Sequence, residues 1–393
     1  MTQDAVIIGG GMVGAAAAIG LAQLGLSVTV IENYLPQIYD ETAALDIRVS
    51  AISVASERLL NRLGAWSSLS QMRKAIYTGL ETWELDGFAT EFSCEQLGES
   101  HLGYIIENRL IQLALWQQFE RYDNLTLLCP EKVTAFEQTA DDNAPVTLTL
   151  TSGNQLQTKL LLGCDGANST VRDWAGIGIT GWDYQQSAML INIETQTPQQ
   201  SVTWQQFTPN GPRSLLPLPG NNASLVWYDS PQTIARLMQL NPTQLADKIR
   251  EHFPSRLDPH FTVIDKGSFP LTRRHANRYF DNNIVLLGDA AHTINPLAGQ
   301  GVNLGFKDVD ALIDKISQAI SSNTPWHANS VLQAYQKARY NDNLLMQTGM
   351  DVFYKTFSNN LTPLKVVRNA ALKLANIDSP LKNKVLKYAL GLS

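Results

Sequence analysis

The sequence predicts an α/β protein: a parallel sheet that opens on a β-α-β unit, a second, mostly antiparallel sheet, and a helical carboxyl-terminal part. Three observations predict it. A short apolar run, a glycine turn, an Ala-rich stretch and a second apolar run follow one another at the amino terminus, the order that parallel strands require. Short strand-like runs separated by turn residues then fill the middle of the chain. From Gly301 the pattern is mainly helical, punctuated by Pro325 and Pro363.

Taken in order, Ala5 to Ile8 is a buried strand. Val13 to Leu24 is a helix stopped at Gly25, and Val28 to Ile31 is the next strand, with Glu32 at its end. Leu59 to Leu69 and Leu110 to Phe119 read as helices. Leu125 to Leu128, Val133 to Gln138, Val146 to Thr151 and Leu156 to Gly163 read as strands. Ala188 to Ile193, Val202 to Phe207 and Ala223 to Tyr228 carry aromatics between Pro/Gly turns and suggest a second sheet that holds a pocket. Asn241 to Phe253 is one helix, and Ile284 to Leu287 returns to a buried strand. Neither repeats nor low-complexity segments are visible.

Composition narrows the classes. With 393 residues, 44% of them apolar and 17% charged, the chain can bury a core of one large domain or two lobes, and global disorder is excluded. A net charge of -6 disfavours nucleic acid as a partner. The charge is uneven: Lys355, Lys365, Arg368, Lys373, Lys382, Lys384 and Lys387 face a single acid, Asp378, at the carboxyl end. Such asymmetry suggests contact with something acidic or with a membrane surface. Cys94, Cys129 and Cys164 are far apart and odd in number, so a reducing, cytoplasmic compartment is expected and neither disulfides nor a metal site are. Ala5 to Ala22 imitates a membrane span, but Gly9, Gly10 and Gly11 interrupt it and only Asp4 precedes it as a charge, so a strand, turn and helix are expected instead of a span or signal peptide.

Three constellations carry chemistry. Gly9, Gly11 and Gly14 fit the G-x-G-x-x-G turn of a Rossmann-like unit. The first glycine allows the tight turn, the second lets a pyrophosphate reach the backbone, and the third lets helix and strand pack closely. The helix that follows presents unpaired N–H groups to phosphate, and Glu32 stands 18 residues after Gly14, where an acid can bond a ribose hydroxyl. Gly176, Gly178 and Gly181 match the same pattern without a preceding strand or a following apolar helix, and are rejected as a nucleotide loop. The second constellation runs from Gly163 through Asp165 and Gly166 to Ser169 and Arg172, directly after a strand; by itself it is equally an Asp-Gly turn that caps a helix. The third is Gly288, Asp289, Ala290, Ala291 and His292, followed by Asn295, Pro296, Gly299, Gly301, Val302 and Asn303. Asp289 ends a buried strand, where open α/β sheets bind ligands.

Together the three resemble the dinucleotide fingerprint, the Asp-Gly motif and the Gly-Asp motif of the flavoprotein aromatic hydroxylases, the para-hydroxybenzoate hydroxylase superfamily, over roughly residues 4 to 350. The stretches 103–108, 203–213, 224–231, 269–276 and 350–354 look like its ubiquinone-biosynthesis branch, and Asn295 before Pro296 fits a demethoxyubiquinol hydroxylase better than the sister ring hydroxylases, which more often carry His there. The resemblance implies FAD as cofactor. Gly9, Gly11 and Gly14 would take the pyrophosphate, with Val13 in the same turn, and Glu32 would hold the adenosine ribose. Asp289 would bond the ribityl chain, and Gly301, Val302 and Asn303 would meet the isoalloxazine through their backbone. Arg48 falls near the flavin, Arg109 near the pyrophosphate and Val133 at the adenine. Asp165 belongs to a motif that the family uses for both FAD and pyridine nucleotide.

The implied activity is hydroxylation of the ring of a polyprenylated quinol, 2-polyprenyl-3-methyl-6-methoxy-1,4-benzoquinol, through a flavin C4a-hydroperoxide, with O2 as co-substrate and NAD(P)H as a transient reductant. Asn295 and Pro296 would line the hydroxylation site. No acid/base pair stands out, and the quinol's own hydroxyl can activate the ring. His292 reads equally as a structural residue of its loop, and Arg273, Arg274 and His275 as a solvated surface turn or a site for a nicotinamide phosphate. Trp204, Phe207, Trp227 and Tyr228 read as core or, in part, as a wall against the quinol. The long prenyl tail implies a membrane visit or a multiprotein biosynthetic complex, and 355–393, basic and amphipathic, is either its contact, at the inner face of the membrane, or a helix packed on the catalytic body. The expected domains are 1–70, 104–180 and 276–350 for FAD, 71–103 and 181–275 for substrate, and 351–393 as the carboxyl-terminal segment. The alternatives are hydroxylation at another ring position, a halogenase or reductase of the same fold (the halogenase Trp-x-Trp-x-Ile-Pro motif is absent), and a non-catalytic FAD-binding scaffold.

Overall fold

The strand Thr2–Ile8 buries Ala5, Val6 and Ile7 completely. It pairs in parallel with Val28–Ile31 on one side and with Gln155–Gly163 on the other. Leu125–Leu128 and Ile284–Leu286 extend the sheet outward, again in parallel. Strands covered on both faces read as continuous apolar runs, which is why these were legible. Phe280–Asp281 adds an antiparallel edge, and Val133–Glu137 and Val146–Leu150 hang from Gln155–Gly163 as an antiparallel meander. The computed structural model describes residues 2–138, 144–294, 301–357, 365, 368–370 and 373.

The helix Met12–Gln23 lies against this sheet through Ala15, Ala16, Ala17 and Ala18, whose small side chains let it approach closely. It stops where Gly25 takes φ +83°, a left-handed position that favours glycine. The helix Gly301–Ser321 packs across it: a Cβ on Gly20 would stand 2.0 Å from the Ile313 side chain. The helix expected over 59–69 is instead two, Val54–Arg62 and Ala65–Leu69, because Gly64 reverses the chain at φ +81°. Leu110 to Phe119 lies within the helix Asn108–Phe119, and the helix expected over Asn241 to Phe253 is Pro242–His252, with Asn241 and Phe253 as its caps.

The second sheet runs in the order His292–Thr293, Phe261–Ala276, Ile179–Thr195, Asn222–Asp229, Arg213–Pro217, Val202–Gln206, Gly79–Trp83 and Thr90–Ser93. Its pairs are antiparallel except Val202–Gln206 with Gly79–Trp83. Helices Pro231–Met238 and Pro242–His252 cover one face, where Ile234, Leu237, Leu245 and Ile249 meet Met189, Ile191, Leu225 and Trp227. The two longest strands correct the sequence reading. Only Ala188 to Ile193 of Ile179–Thr195 was recognised, and Phe261–Ala276 was not recognised at all. Arg273 and His275 therefore do not sit in a solvated turn. Both are buried on a strand, with Arg273 stacked on Trp182 at 4.3 Å and ion-paired to Asp351 at 3.0 Å. A third, small sheet joins Val49–Ser53, Gly103–Glu107 and Ala75–Tyr77.

The carboxyl-terminal part is the helices Gly301–Ser321 and Asn329–Phe357. Among the described residues no helix is long and apolar enough to cross a membrane. Of the segment 351–393 only part is described, and within that part Asp351, Phe357, Arg368 and Asn369 are buried. Arg368 forms a buried ion pair with Glu84, at 2.7 Å through Nε, and the Asn369 amide donates to the same carboxylate at 2.6 Å. The alternative in which this helix packs on the catalytic body therefore holds for these residues.

Candidate functional site

The glycine turn is built for a ligand on one side and for close packing on the other. Gly9 has φ +100°, and a Cβ there would stand 2.4 Å from the Cys164 carbonyl oxygen; a Cβ on Gly14 would stand 1.9 Å from the Gly9 carbonyl oxygen. Protein packing demands both glycines. At Gly11 a Cβ would meet nothing within 4 Å, so packing leaves that side open. The first turn of the helix has no side-chain cap and no acidic residue, which leaves its N–H groups for an anion. The turn is held rigid through the residue between. Gly10 N–H donates to Glu32 Oε2 at 2.7 Å, and its carbonyl accepts from Gln112 Nε2 at 2.9 Å and Trp116 Nε1 at 2.7 Å. Glu32 thus stands where expected, at the end of its strand, but its carboxylate also anchors the turn. Gln112 and Trp116 were missed by sequence reasoning, which had no signal for partners a hundred residues away.

Val13 wedges between Gly288 and Gly305: Cβ atoms placed there would stand 3.2 and 2.6 Å from its methyl groups. Its side chain therefore joins the first helix to the Gly-Asp turn and to Gly301–Ser321. Asp165 caps the short helix Thr170–Trp174, accepting from Thr170 N–H at 2.7 Å and Val171 N–H at 3.2 Å through Oδ2. Its Oδ1 is buried with no partner among the described residues. Arg172 links this motif to the third: Nη1 donates to the carbonyls of Ala167 at 3.0 Å and of Ala290 at 3.1 Å.

Asp289 opens into a cavity of about 620 Å³ that Arg48, Gly301, Val302 and Asn303 also line. Its carboxylate is open to the cavity but surrounded by protein elsewhere, and burial pushes its pKa up, against the nearby charges of His292 and Arg48. Beneath it lies a buried network that the sequence reading did not assemble. Asp308 accepts from His292 Nε2 at 2.5 Å, Gly288 N–H at 3.1 Å, Arg339 Nε at 2.9 Å and Asn343 Nδ2 at 3.0 Å. Burial would raise the Asp308 pKa, but the charges of His292 and Arg339 and the hydrogen bonds hold it down to about 2. His292 is thus structural, bonded to a carboxylate rather than to loop backbone. The signal existed: Leu304, Asp308 and Leu312 share one helical stripe, and an acid on an apolar face needs a partner.

Asn303 staples the start of its helix to the neighbouring strand. Its Oδ1 accepts from Ser53 N–H at 3.1 Å and Ser56 Oγ at 2.7 Å, and its Nδ2 donates to the Ala51 carbonyl at 2.7 Å. Only its backbone is left for a ligand. Among the described residues a Cβ on Gly301 would meet nothing within 4 Å. Arg109 pairs with Asp46 at 2.8 Å and donates to the Gln37 and Ile38 carbonyls, each at 3.0 Å. Arg73 grips Glu107 at 2.7 Å and donates to the Ala44 carbonyl at 2.9 Å. The two arginines fix the 37–46 loop and so the position of Arg48, which is exposed toward the cavity. Val133 starts a strand at the far end of the first sheet, two residues after Glu131, whose N–H donates to the Glu32 carbonyl at 2.9 Å. Asn295 and Pro296 lie outside the described residues.

The opposite wall of the cavity is the uncovered face of the second sheet. Leu80, Thr82, Thr203, Gln205, Ser214, Leu216, Leu190, Val226, Tyr228 and Phe269 line it. Of the four aromatics singled out, Tyr228 faces the cavity and also packs beside Leu271, whereas Trp227 belongs to the core under the helices. Trp204 belongs to that core and touches the cavity edge. Phe207 stacks on Phe357 at 4.4 Å.

A glycine turn that opens an uncapped helix, and a distant carboxylate that faces a cavity beside the start of another helix, are the marks of a dinucleotide flavin site. A family model described as FAD binding domain matches residues 2–342. The chain belongs to this family. Its members similar to this chain include the 3-demethoxyubiquinol 3-hydroxylase of Escherichia coli (strain K12), 49% identical over 99% of this chain and 98% of the relative. The ubiquinone hydroxylase UbiL of Rhodospirillum rubrum is 34% identical over 99% of this chain and 89% of its own. The mitochondrial ubiquinone biosynthesis monooxygenase COQ6 of Homo sapiens is 32% identical over 98% and 92%. Among solved structures, p-nitrophenol 4-monooxygenase PnpA from Pseudomonas putida DLL-E4 shares the fold with a TM-score of 0.80 at 18% identity, over 99% of this chain and 96% of that one. A ternary complex of aklavinone-11 hydroxylase with FAD and aklavinone does so with a TM-score of 0.68 at 18% identity, over 88% and 67%.

The protein is an FAD-dependent monooxygenase, and its residues fit that cofactor. The open sides of Gly11 and Gly301, the orphaned Asp165 oxygen and the Asp289 carboxylate facing the cavity are features that protein packing leaves unexplained and a bound dinucleotide explains.

Proposed function

We propose that this monooxygenase hydroxylates the ring of a polyprenylated benzoquinol, demethoxyubiquinol, in ubiquinone biosynthesis. The observation that carries the reading is the 49% identity along 99% of the chain to a 3-demethoxyubiquinol 3-hydroxylase. The cavity supports it: one wall carries Asp289 and the start of Gly301–Ser321, and the other offers a largely apolar sheet face wide enough for a flat ring. FAD, when bound and reduced by a transient NAD(P)H, supplies the activation of O2 and the oxygen atom transferred.

The chain's own residues bind, orient and exclude water. Gly9, Gly11 and Gly14, with the Val13 backbone, hold the pyrophosphate; Glu32 holds the adenosine ribose and Val133 meets the adenine through its backbone. Arg109 acts near the pyrophosphate by fixing the 37–46 loop, and Arg48 and Asp165 flank the cofactor. Asp289 accepts from the ribityl chain, and the backbones of Gly301, Val302 and Asn303 face the flavin ring. Asn295 and Pro296, which lie outside the described residues, belong to this reading by their motif alone, as residues that would line the hydroxylation site. The quinol hydroxyl activates its own ring, so no separate base is required. Sealing of the cavity against bulk water protects the oxygen transfer from wasteful peroxide release.

The domain assignment belongs to the same reading: 1–70, 104–180 and 276–350 serve FAD, 71–103 and 181–275 serve substrate, and 351–393 closes the chain. The prenyl tail supports a cytoplasmic enzyme that works peripherally at the inner face of the membrane, or within a biosynthetic complex, because each buried CH2 adds roughly 0.8 kcal/mol to its partition out of water. The test is single turnover of the FAD-loaded, reduced protein with 18O2 and a short-chain demethoxyquinol. Incorporation of one labelled oxygen at the unsubstituted ring carbon is the expected result. Label at a different carbon, or peroxide alone, would overturn it.

A further inference from the structure

The uncovered face of the second sheet is not uniform, and its pattern follows from strand register. Thr82 pairs with Gln205, Gln205 with Ser214, Ser214 with Val226, and Val226 with Leu190. This row crosses the cavity wall, and every member lines the cavity. Its first three residues are polar and its last two apolar. Gln205 and Ser214 are 9% and 5% exposed, so what they reach is the cavity and not bulk solvent. Ser214 Oγ donates to Gln205 Oε1 at 3.0 Å. That bond spends the serine proton and the amide oxygen on each other. It leaves the Gln205 Nε2 hydrogens as donors and the Ser214 Oγ lone pairs as acceptors, side by side. Two residues back along the strand, and so on the same face, Thr203 Oγ1 is buried in the same wall with no partner among the described residues.

We infer that Gln205 and Ser214, flanked by Thr82, are the specificity-determining pair for the quinol ring: the amide donates to its methoxyl oxygen and the serine oxygen accepts from the adjacent hydroxyl. The inference rests on the quinol reading above and deepens it. A donor and an acceptor set next to each other match an ether oxygen and a hydroxyl on neighbouring ring carbons. A ring without the ether oxygen leaves the amide N–H groups buried and unpaired, which a site of this kind penalises more than it penalises a missing methylene. The apolar end of the row, Val226 and Leu190, then receives ring edge and hydrocarbon, so the row fixes which way round the ring enters.

The experiment is an anaerobic titration of the FAD-loaded protein, read by perturbation of flavin absorbance. Two probes are used: 2-methoxy-5-methyl-1,4-benzoquinol with one isoprenoid unit at carbon 6, and the same quinol without the methoxyl. The wild type is expected to bind the first about tenfold more tightly or better. Gln205→Leu should weaken the methoxyl probe by about tenfold and erase the preference while leaving the second probe's affinity as in the wild type, whereas Ser214→Ala removes the acceptor for a hydroxyl that both probes carry and should weaken both by about tenfold; FAD content stays as in the wild type in each. Should Gln205→Leu fail to fold, Gln205→Ala takes its place. A Gln205 variant that keeps the wild-type preference, or a Ser214→Ala variant that binds both probes as the wild type does, would overturn the inference. A wild type that binds both probes equally would overturn it while leaving the quinol reading intact, and one that binds neither would overturn both.

Discussion

Gly11 and Gly14 stand in one turn for different reasons, and this separates their expected phenotypes. A methyl group on Gly14 collides with the Gly9 carbonyl, so Gly14→Ala should cost about 1–3 kcal/mol of stability and lose flavin with it. A methyl on Gly11 meets only open space. Gly11→Ala should leave stability within about 0.5 kcal/mol and still weaken FAD binding, read as thermal midpoint against flavin-to-protein ratio. Asp308 is the other decisive single residue. Asp308→Ala strands Arg339 and His292 in the interior and should cost about 3–5 kcal/mol. Its carboxyl is held at about 2, below the ordinary 3.8 of the unfolded chain. The stabilisation is therefore complete above pH 4 and lost as pH falls toward 2, and an Asp308→Asn variant should show a flatter denaturation midpoint across that window. At this scale the sequence was legible where chemistry is local. Gly9, Gly11, Gly14, Glu32 and Asp289 announce themselves by spacing. Gln112 and Trp116 do not, because their partners come from distant parts of the chain, and the apolar stripe around Asp308 shows that it needs a partner without showing which.

At the scale of elements, the strands of the parallel sheet and the helix Met12–Gln23 were read almost residue by residue, because apolar runs and a glycine stop are strong local signals. Phe261–Ala276 escaped because its charges suggest a turn, whereas the fold neutralises them inside: Arg273 by Asp351 and Trp182. His275 stays uncharged there. Burial lowers its pKa to about 4, helped by the neighbouring charges of His292 and Arg273 and opposed by Gln347 and Asp308. Below pH 6.5 the unfolded chain takes up a proton that the folded strand resists. Stability should fall between pH 6.5 and 4, by up to about 3 kcal/mol, and His275→Gln should flatten that slope in thermal midpoints. The Glu84–Arg368 pair governs the carboxyl-terminal segment. Arg368→Ala leaves Glu84 buried without its charge partner and should release the segment to rapid limited proteolysis while the FAD site stays loaded.

The whole molecule is two sheets that meet around one cavity. The first sheet delivers Asp289 and the Gly166 turn, and the second delivers a wall graded from Thr82, Gln205 and Ser214 to Val226 and Leu190. The two-sheet plan was legible from the change of strand pattern along the chain. The cavity was not, since its lining brings together residues as distant in the chain as Thr82 and Val302. The central claim is that this assembly hydroxylates demethoxyubiquinol, and the most direct measurement is the quinone profile, by mass spectrometry, of cells that lack their own demethoxyubiquinol hydroxylase and express this chain. The account predicts that accumulated demethoxyubiquinone disappears and ubiquinone returns. Demethoxyubiquinone that persists while the expressed protein carries its FAD would contradict it.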